Sequence, residues 1–337
     1  MNTSFTHPHR AAIAPVPVGE HRPLWSVMIP TYHCADYLRE TLTHVLSQAP
    51  DSSWMQIEVV DDGSTQDDPA AVVAELGQDR VQFYRQPQNV GSIRNFETCL
   101  MRSRGRLIHL LHGDDCVLPG FYAKMQQLFE QHPEIGAAYC RHQYMNEQSD
   151  LHYHEVLEQP ESGILENWLE KVTTRSRIQT PSIVVRREVY ETLGGFDRRI
   201  IYGEDWEMWV RIAARYPIAY EVETLARYRT HSNSITGRRY RTGENMRELR
   251  HAIAMMRSEL PVEQAKRLTN AALKYYGKYS VSQAKKMVDR REFEVAVVYL
   301  REALLCSTSP VVLKQFLKIS IFLLQTLLQK DKPAIST

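Results

Sequence analysis

Arg106-Leu-Ile-His-Leu-Leu-His-Gly-Asp-Asp-Cys-Val-Leu-Pro119 is the stretch that decides the fold. Leu107, Ile108, Leu110 and Leu111 form an apolar run of buried-strand type. It stops abruptly at His112-Gly113-Asp114-Asp115, and Pro119 opens the next helix. Two adjacent carboxylates at a strand end are poorly explained by packing. Each wants water or a cation, and the two repel unless a cation shares them. Surface turns use the same residue types, so the decision rests on what the other strands do at their ends.

Upstream, Trp25–Ile29 reads as a strand closed by Pro30-Thr31, and Ala35–Gln48 as a helix with Leu38, Leu42, Val45 and Leu46 on one face. Ile57–Val60 is a second strand, ending in Asp61-Asp62-Gly63-Ser64. A helical pattern spans Pro69–Leu76, Val81–Tyr84 is a third strand, and Asn89-Val-Gly91 turns into a helix carrying Ile93, Phe96 and Leu100. Downstream come a helix over Phe121–Gln131 and a strand over Ile135–Cys140. Then follow a strand at Ile183–Val185, a helix at Arg187–Leu193, a helix opened by Glu204-Asp205 and a strand at Ala219–Tyr228. This alternation predicts an α/β fold with a mostly parallel sheet flanked by helices. Ligands of such sheets sit beyond the carboxyl ends of the strands, where Thr31, Asp61-Asp62 and Asp114-Asp115 gather.

From Arg238 onward strand signals vanish and helical patterns take over at Ala265–Tyr279, Val281–Val288 and Phe293–Leu305. One antiparallel pair does not make a solenoid, which needs about three repeats. The sequence therefore divides into a flexible lead-in (1–23), an α/β domain (24–237) and a helical accessory domain (238–337). No window is expected to reach the length and uniform apolarity of a membrane-spanning helix. Val311–Leu328 comes nearest, with Lys314 and Lys318, and is expected to be an amphipathic bundle helix before a membrane-surface one.

Charges nearly cancel, 41 Lys+Arg against 40 Asp+Glu, which removes the basic footprint that nucleic acid binding requires. Cys34, Cys99, Cys116, Cys140 and Cys306 are scattered, odd in number and without a C-x-x-C pair, so a reduced, cytoplasmic setting is expected. The N-terminus carries no apolar run of signal-peptide type. Cys116 is expected as a small buried apolar residue, and His152 and His154 as solvated loop histidines for want of a third ligand nearby.

Ser26-Val-Met-Ile-Pro-Thr-Tyr32, Val59-Val-Asp-Asp-Gly-Ser-Thr65, Asn89-Val-Gly91, Gly113-Asp-Asp115, Gly194-Gly-Phe-Asp197, Glu204-Asp205 and Tyr228-Arg-Thr-His231 occur in this order. In this the chain resembles the family 2 glycosyltransferases of GT-A fold. The resemblance implies that Thr31, Asp61, Asp62, Arg94 and Asp114 hold a nucleotide-sugar, with a UDP-sugar expected first. It implies Mg2+ or Mn2+ at Asp114, Asp115 and His231, and Asp205 as general base. The chain departs from the pattern at His112, where the family often has Asp, and at His33, where Asn is usual.

On that resemblance the reaction is a single displacement with inversion at the anomeric carbon. It serves polysaccharide or glycoconjugate synthesis, the acceptor being a hydroxyl of a glycan, a lipid-linked sugar or another molecule. Asp205 at a helix N-terminus is expected to be ionised but weak as a base. Contact with the inner face of a membrane through the C-terminal helices is an added expectation. The rival from another class is a catalytically degenerate domain that binds nucleotide-sugar and recruits partners through its helical tail. A nucleotidyltransferase would want a Gly-rich basic loop after the first strand, and Pro30-Thr-Tyr-His-Cys34 is not one.

Overall fold

The computed structural model describes residues 7–231 and 235–330, and of Ile235, Thr236, Arg238, Gln329 and Lys330 the backbone alone. Residues 1–6 of the lead-in, Ser232-Asn-Ser234 at the domain boundary and 331–337 of the tail lie outside the described residues. The chain runs β1 (Trp25–Thr31), α1 (Ala35–Leu46), β2 (Met55–Asp61), α2 (Pro69–Leu76), β3 (Gln82–Arg85), α3 (Ser92–Arg102) and β4 (Leu107–Leu110). Then follow β5 (Cys116–Val117), α4 (Phe121–Gln131), β6 (Ala137–Met145), β7 (Leu151–His154), β8 (Gly163–Ile164) and α5 (Trp168–Thr174). A 3-10 turn at Thr180–Ser182 leads into β9 (Ile183–Arg186), α6 (Arg187–Leu193), α7 (Glu204–Ala213) and β10 (Ile218–Arg229). The described chain closes with α8 (Ile235–Thr242), α9 (Glu244–Met256), α10 (Val262–Asp289), α11 (Phe293–Cys306) and α12 (Pro310–Lys330).

One sheet orders its strands β3-β2-β1-β4-β9-β6-β10-β5. The block β3-β2-β1-β4 is parallel, and so is the long pair β6-β10. β9 runs antiparallel between the two, against β4 and β6. Every residue of β1, β2 and β4 is buried, because helices cover both faces. That is why these strands read as continuous apolar runs and not as alternating ones. Leu38, Leu42 and Val45 of α1 lie in one core with Val27, Ile29, Ile57, Val59, Leu107 and Leu111. β6 runs five residues past its expected end at Cys140, since β10 pairs with it as far as Arg229 on Met145. Pairing through that polar stretch supplies what the apolar pattern did not signal.

The described part of the lead-in is not loose between residues 9 and 14. Ala11 and Ile13 are buried, and the N–H groups of Gly195 and Arg198 donate to the carbonyls of Ala11 and His9, each at 2.9 Å. Arg10, also buried, stands 3.4 Å from both Asp197 and Glu207. Two apolar side chains and one cation matched to two acids hold the segment down.

The described residues within 1–169 and 177–231 form one compact unit; those within 170–176 and 232–337 form another. The sequence-based boundary after 237 thus falls six residues beyond the structural one, and most of α5 groups with the second unit. In that unit α10 packs on α9, α11 and α12. It is one helix of 28 residues where the sequence pattern suggested two, because Ser280 stays helical with its hydroxyl on the Tyr299 carbonyl at 2.6 Å. Val312, Ile319 and Leu323 of α12 are buried, while Leu317, Ile321, Leu324 and Leu328 are exposed.

The expectation that no window reaches spanning length and apolarity is corrected by α12. Pro310–Leu328 meets both tests by length and composition, with mean hydropathy 1.6, and 17% of its window is buried. Lys314 and Lys318 are the charged residues of that window, and they lie one turn apart on the same flank.

Candidate active site

The parallel register brings the expected clusters together. Thr31 ends β1 opposite Asp61 at the end of β2, and the turn that follows β4 carries Asp114 and Asp115. All lie at the carboxyl edge of the block β3-β2-β1-β4. The turn after β4 needs glycine: a Cβ on Gly113 would stand 2.6 Å from Thr31 Cγ2. This close approach sets the acidic turn against the end of β1. Thr41 of α1 fixes it from below, its hydroxyl 2.8 Å from the Asp115 carbonyl and 3.1 Å from that of Gly113.

Asp61 and Asp62 are buried and already bonded within the chain. Asp61 accepts from the Ser64 hydroxyl at 2.6 Å and the Arg85 guanidinium at 2.7 Å, and the Thr31 hydroxyl reaches it at 3.4 Å. Asp62 accepts the N–H groups of Val90 at 2.8 Å and Gly91 at 3.0 Å, and burial raises its carboxyl above the usual range despite them. A carboxylate carries about four acceptor positions, so both keep capacity for a ligand's donors. Arg94 is exposed on α3. His33 takes φ +51°, the left-handed region that Asn, Asp and His enter most readily among non-glycine residues, which accounts for Asn being usual there.

Asp115 is almost fully buried. Its Oδ1 accepts the backbone N–H of Arg229 at 2.8 Å, while its Oδ2 is buried without a hydrogen-bond partner. Asp114 Oδ2 lies 3.0 Å from Nε2 of His231, the residue two beyond the end of β10. Burial works to raise both carboxyls. Around Asp114 the His231 bond and the neighbouring imidazoles outweigh it and hold the group below its usual range. Asp115, with the Asp114 charge beside it, is driven well above. The donor atoms of His112, Asp114 and Asp115 all lie within 4.8 Å of one another. Two adjacent carboxylates, one with a buried oxygen lacking any partner, suit a divalent cation.

Asp205 sits in the first turn of α7, after Gly203 in the left-handed conformation at φ +82°. Its carboxyl is pushed up to about 6 by burial, against hydrogen bonds from the Trp206 N–H and the Thr180 hydroxyl. The expectation of a weak base is thereby revised, because desolvation outweighs the helix N-terminus.

Sequence reading missed Thr180, Glu40 and Arg229. Fully buried Arg229 bonds the Asp114 carbonyl at 2.8 Å, Ser149 at 2.9 Å and Glu40, and lies over the Tyr37 ring at 4.5 Å. The only sequence signal was its place beside His231 in a motif. Cys116 is buried, as expected, and β7 leaves His152 and His154 exposed.

Residues 26–194, half of the chain, match the glycosyl transferase family 2 model, and the chain belongs to that family. An uncharacterized protein of Mycobacterium tuberculosis is 28% identical over 63% of this chain and 68% of its own length. An uncharacterized glycosyltransferase of Rickettsia typhi is 23% identical over 64% and 67%. Among solved structures, S. aureus TarS 1–349 aligns with TM-score 0.62 at 13% identity, covering 91% of this chain and 92% of that one. Against the full TarS chain the match spans 50% of its length, at TM-score 0.59 and 12% identity. A mannosyltransferase from Pyrobaculum calidifontis, in complex with GDP-Man and Mn2+, aligns at 0.57 and 16%, over 94% and 89%. At these identities the structures establish the shared α/β fold.

Proposed function

We propose that this chain is an inverting, metal-dependent glycosyltransferase that moves a sugar from a nucleotide-diphosphate sugar to an acceptor hydroxyl in polysaccharide or glycoconjugate synthesis. Family membership supports glycosyl transfer. Asp115 Oδ2, buried without a partner beside Asp114 and His231, is the observation that carries the metal site. Neighbours of the same fold bind such donors: TarS 1–349 has been solved with UDP-GlcNAc and with UDP, and the mannosyltransferase with GDP-Man and Mn2+. A UDP-sugar is the first donor to test.

Thr31, Asp61 and Asp62 line the edge that would receive the base and ribose, with Arg94 toward the diphosphate. Mg2+ or Mn2+ at Asp114, Asp115 and His231 would supply Lewis acidity against the charge of the departing diphosphate. Asp205 takes the proton of the acceptor hydroxyl as that oxygen attacks the anomeric carbon from the face opposite the leaving group. With its carboxyl at about 6 it is ionised at neutral pH, and a better base than an ordinary aspartate. The Thr180 hydroxyl holds its orientation. We further infer a cytoplasmic enzyme that meets the inner face of a membrane through the exposed apolar stripe of α12.

The direct test is calorimetry of UDP with and without Mn2+. Asp114→Ala and Asp115→Ala should each abolish the metal-dependent part of binding, since one lost carboxylate leaves too few oxygen ligands for a hard cation. Unchanged affinity in both variants would remove the metal site from the mechanism.

A further inference from the structure

We propose that His112 is a nitrogen ligand of the cation at the acidic pair, so that this site favours the transition-metal ions Mn2+ and Co2+ over Mg2+. The inference rests on the reading that Asp114 and Asp115 hold a cation, and it concerns the residue at which this chain departs from the family's acidic pattern. His112 stacks on Phe96, with ring centroids 5.0 Å apart and planes 14° from parallel, which fixes its plane. Its Nδ1 stands 3.9 Å from Asp115 Oδ2. That is too long for a hydrogen bond, and Oδ2, in a residue 1% exposed, has no other partner. Two groups that could bond directly instead leave a gap. Ligands each ~2.1 Å from one ion, at angles of ~90–130°, stand ~3–4 Å apart, so the gap fits an ion better than a hydrogen bond.

Imidazole suits first-row transition ions, whereas Mg2+ prefers oxygen alone. A carboxylate in place of His112 would leave His231 as the one nitrogen ligand; the imidazole gives this chain a second.

The test uses the full chain with UDP, read by electron spin echo modulation of bound Mn2+ and by calorimetric affinities for Mn2+ and Mg2+. His231→Gln removes the other imidazole and should retain a 14N coupling, which disappears when His112→Phe is added. His112→Phe keeps the stack on Phe96 and should weaken Mn2+ by about tenfold or more, since even outer-shell partners are worth ~10–100-fold. Mg2+ affinity should change far less. His112→Asp, which restores an oxygen ligand, should bring the two ions' affinities closer together. Loss of all 14N coupling in His231→Gln, or an unchanged Mn2+-to-Mg2+ ratio in both His112 variants, overturns the assignment while leaving the carboxylate site intact. Failure of wild-type protein to bind Mn2+ with UDP overturns both.

Discussion

At the scale of single residues, the base is the point most open to test. Asp205 and Glu204 are neighbours at one helix start, and burial raises the Asp205 carboxyl to about 6. Asp205→Asn keeps the size but cannot take a proton, so transfer should fall by roughly 10²–10⁴ while donor affinity stays nearly constant. In wild type, kcat/KM should rise tenfold per pH unit up to about pH 6 and then level, because the ionised form is the active one. Asp205→Asn should lack that limb and Glu204→Gln should keep it. Activity lost in Glu204→Gln and retained in Asp205→Asn would move the base by one residue. The carboxylates themselves were legible, because acidic pairs interrupt apolar strands. Their supports were not: Arg229 and Glu40 are 189 residues apart in sequence and meet only in the fold.

At the scale of elements, β4 and β6 each bury a histidine. His109 of β4 is stacked on Phe121 at 4.7 Å with Nε2 3.0 Å from the Pro181 carbonyl, and burial takes it to about 3. His142 of β6 is likewise lowered to about 3 by burial. In the unfolded chain both titrate near the ordinary value of about 6.5, so that state binds protons which the fold refuses. Their contribution is complete above about pH 6.5 and is lost toward pH 3, by up to ~1.4 kcal/mol per pH unit for each. His142→Phe should therefore lose less of its urea midpoint than wild type between pH 7 and pH 5. An identical pH slope in the two proteins would mean that His142 is not held neutral. For α12, Leu317, Leu324 and Leu328 are more than half exposed on a helix with no acidic residue. Sedimentation with vesicles rich in anionic lipid should carry the protein down, and Leu317→Gln with Leu324→Gln should leave it in solution. Equal sedimentation of both proteins would exclude the stripe as the contact.

At the scale of the whole molecule, residues 9–14 belong to the α/β unit. A chain starting at residue 15 loses buried Ala11 and Ile13 together with the Arg10 pairs to Asp197 and Glu207. Apolar burial alone places the cost at roughly 2–4 kcal/mol. The urea midpoint should drop accordingly, and an unchanged midpoint would mean that the lead-in contributes nothing to stability. Donor affinity should survive, because Thr31 and Asp61 end strands and Asp114 lies in the turn between β4 and β5, all outside the lead-in.

The sequence by itself determined the strand–helix alternation, the carboxylates at the strand ends and the family. Each is a local pattern, set by apolar periodicity broken by charge over a few residues. Tertiary structure decided the rest. It ran β9 antiparallel between two parallel blocks, carried β6 on to Met145, and folded the lead-in down onto Asp197 and Glu207. It also raised Asp205, left Asp115 Oδ2 without a partner and gathered Arg229 onto Glu40. The physical reason is that desolvation and pairing depend on what the rest of the chain packs against a group. A side chain's neighbours in sequence do not record that.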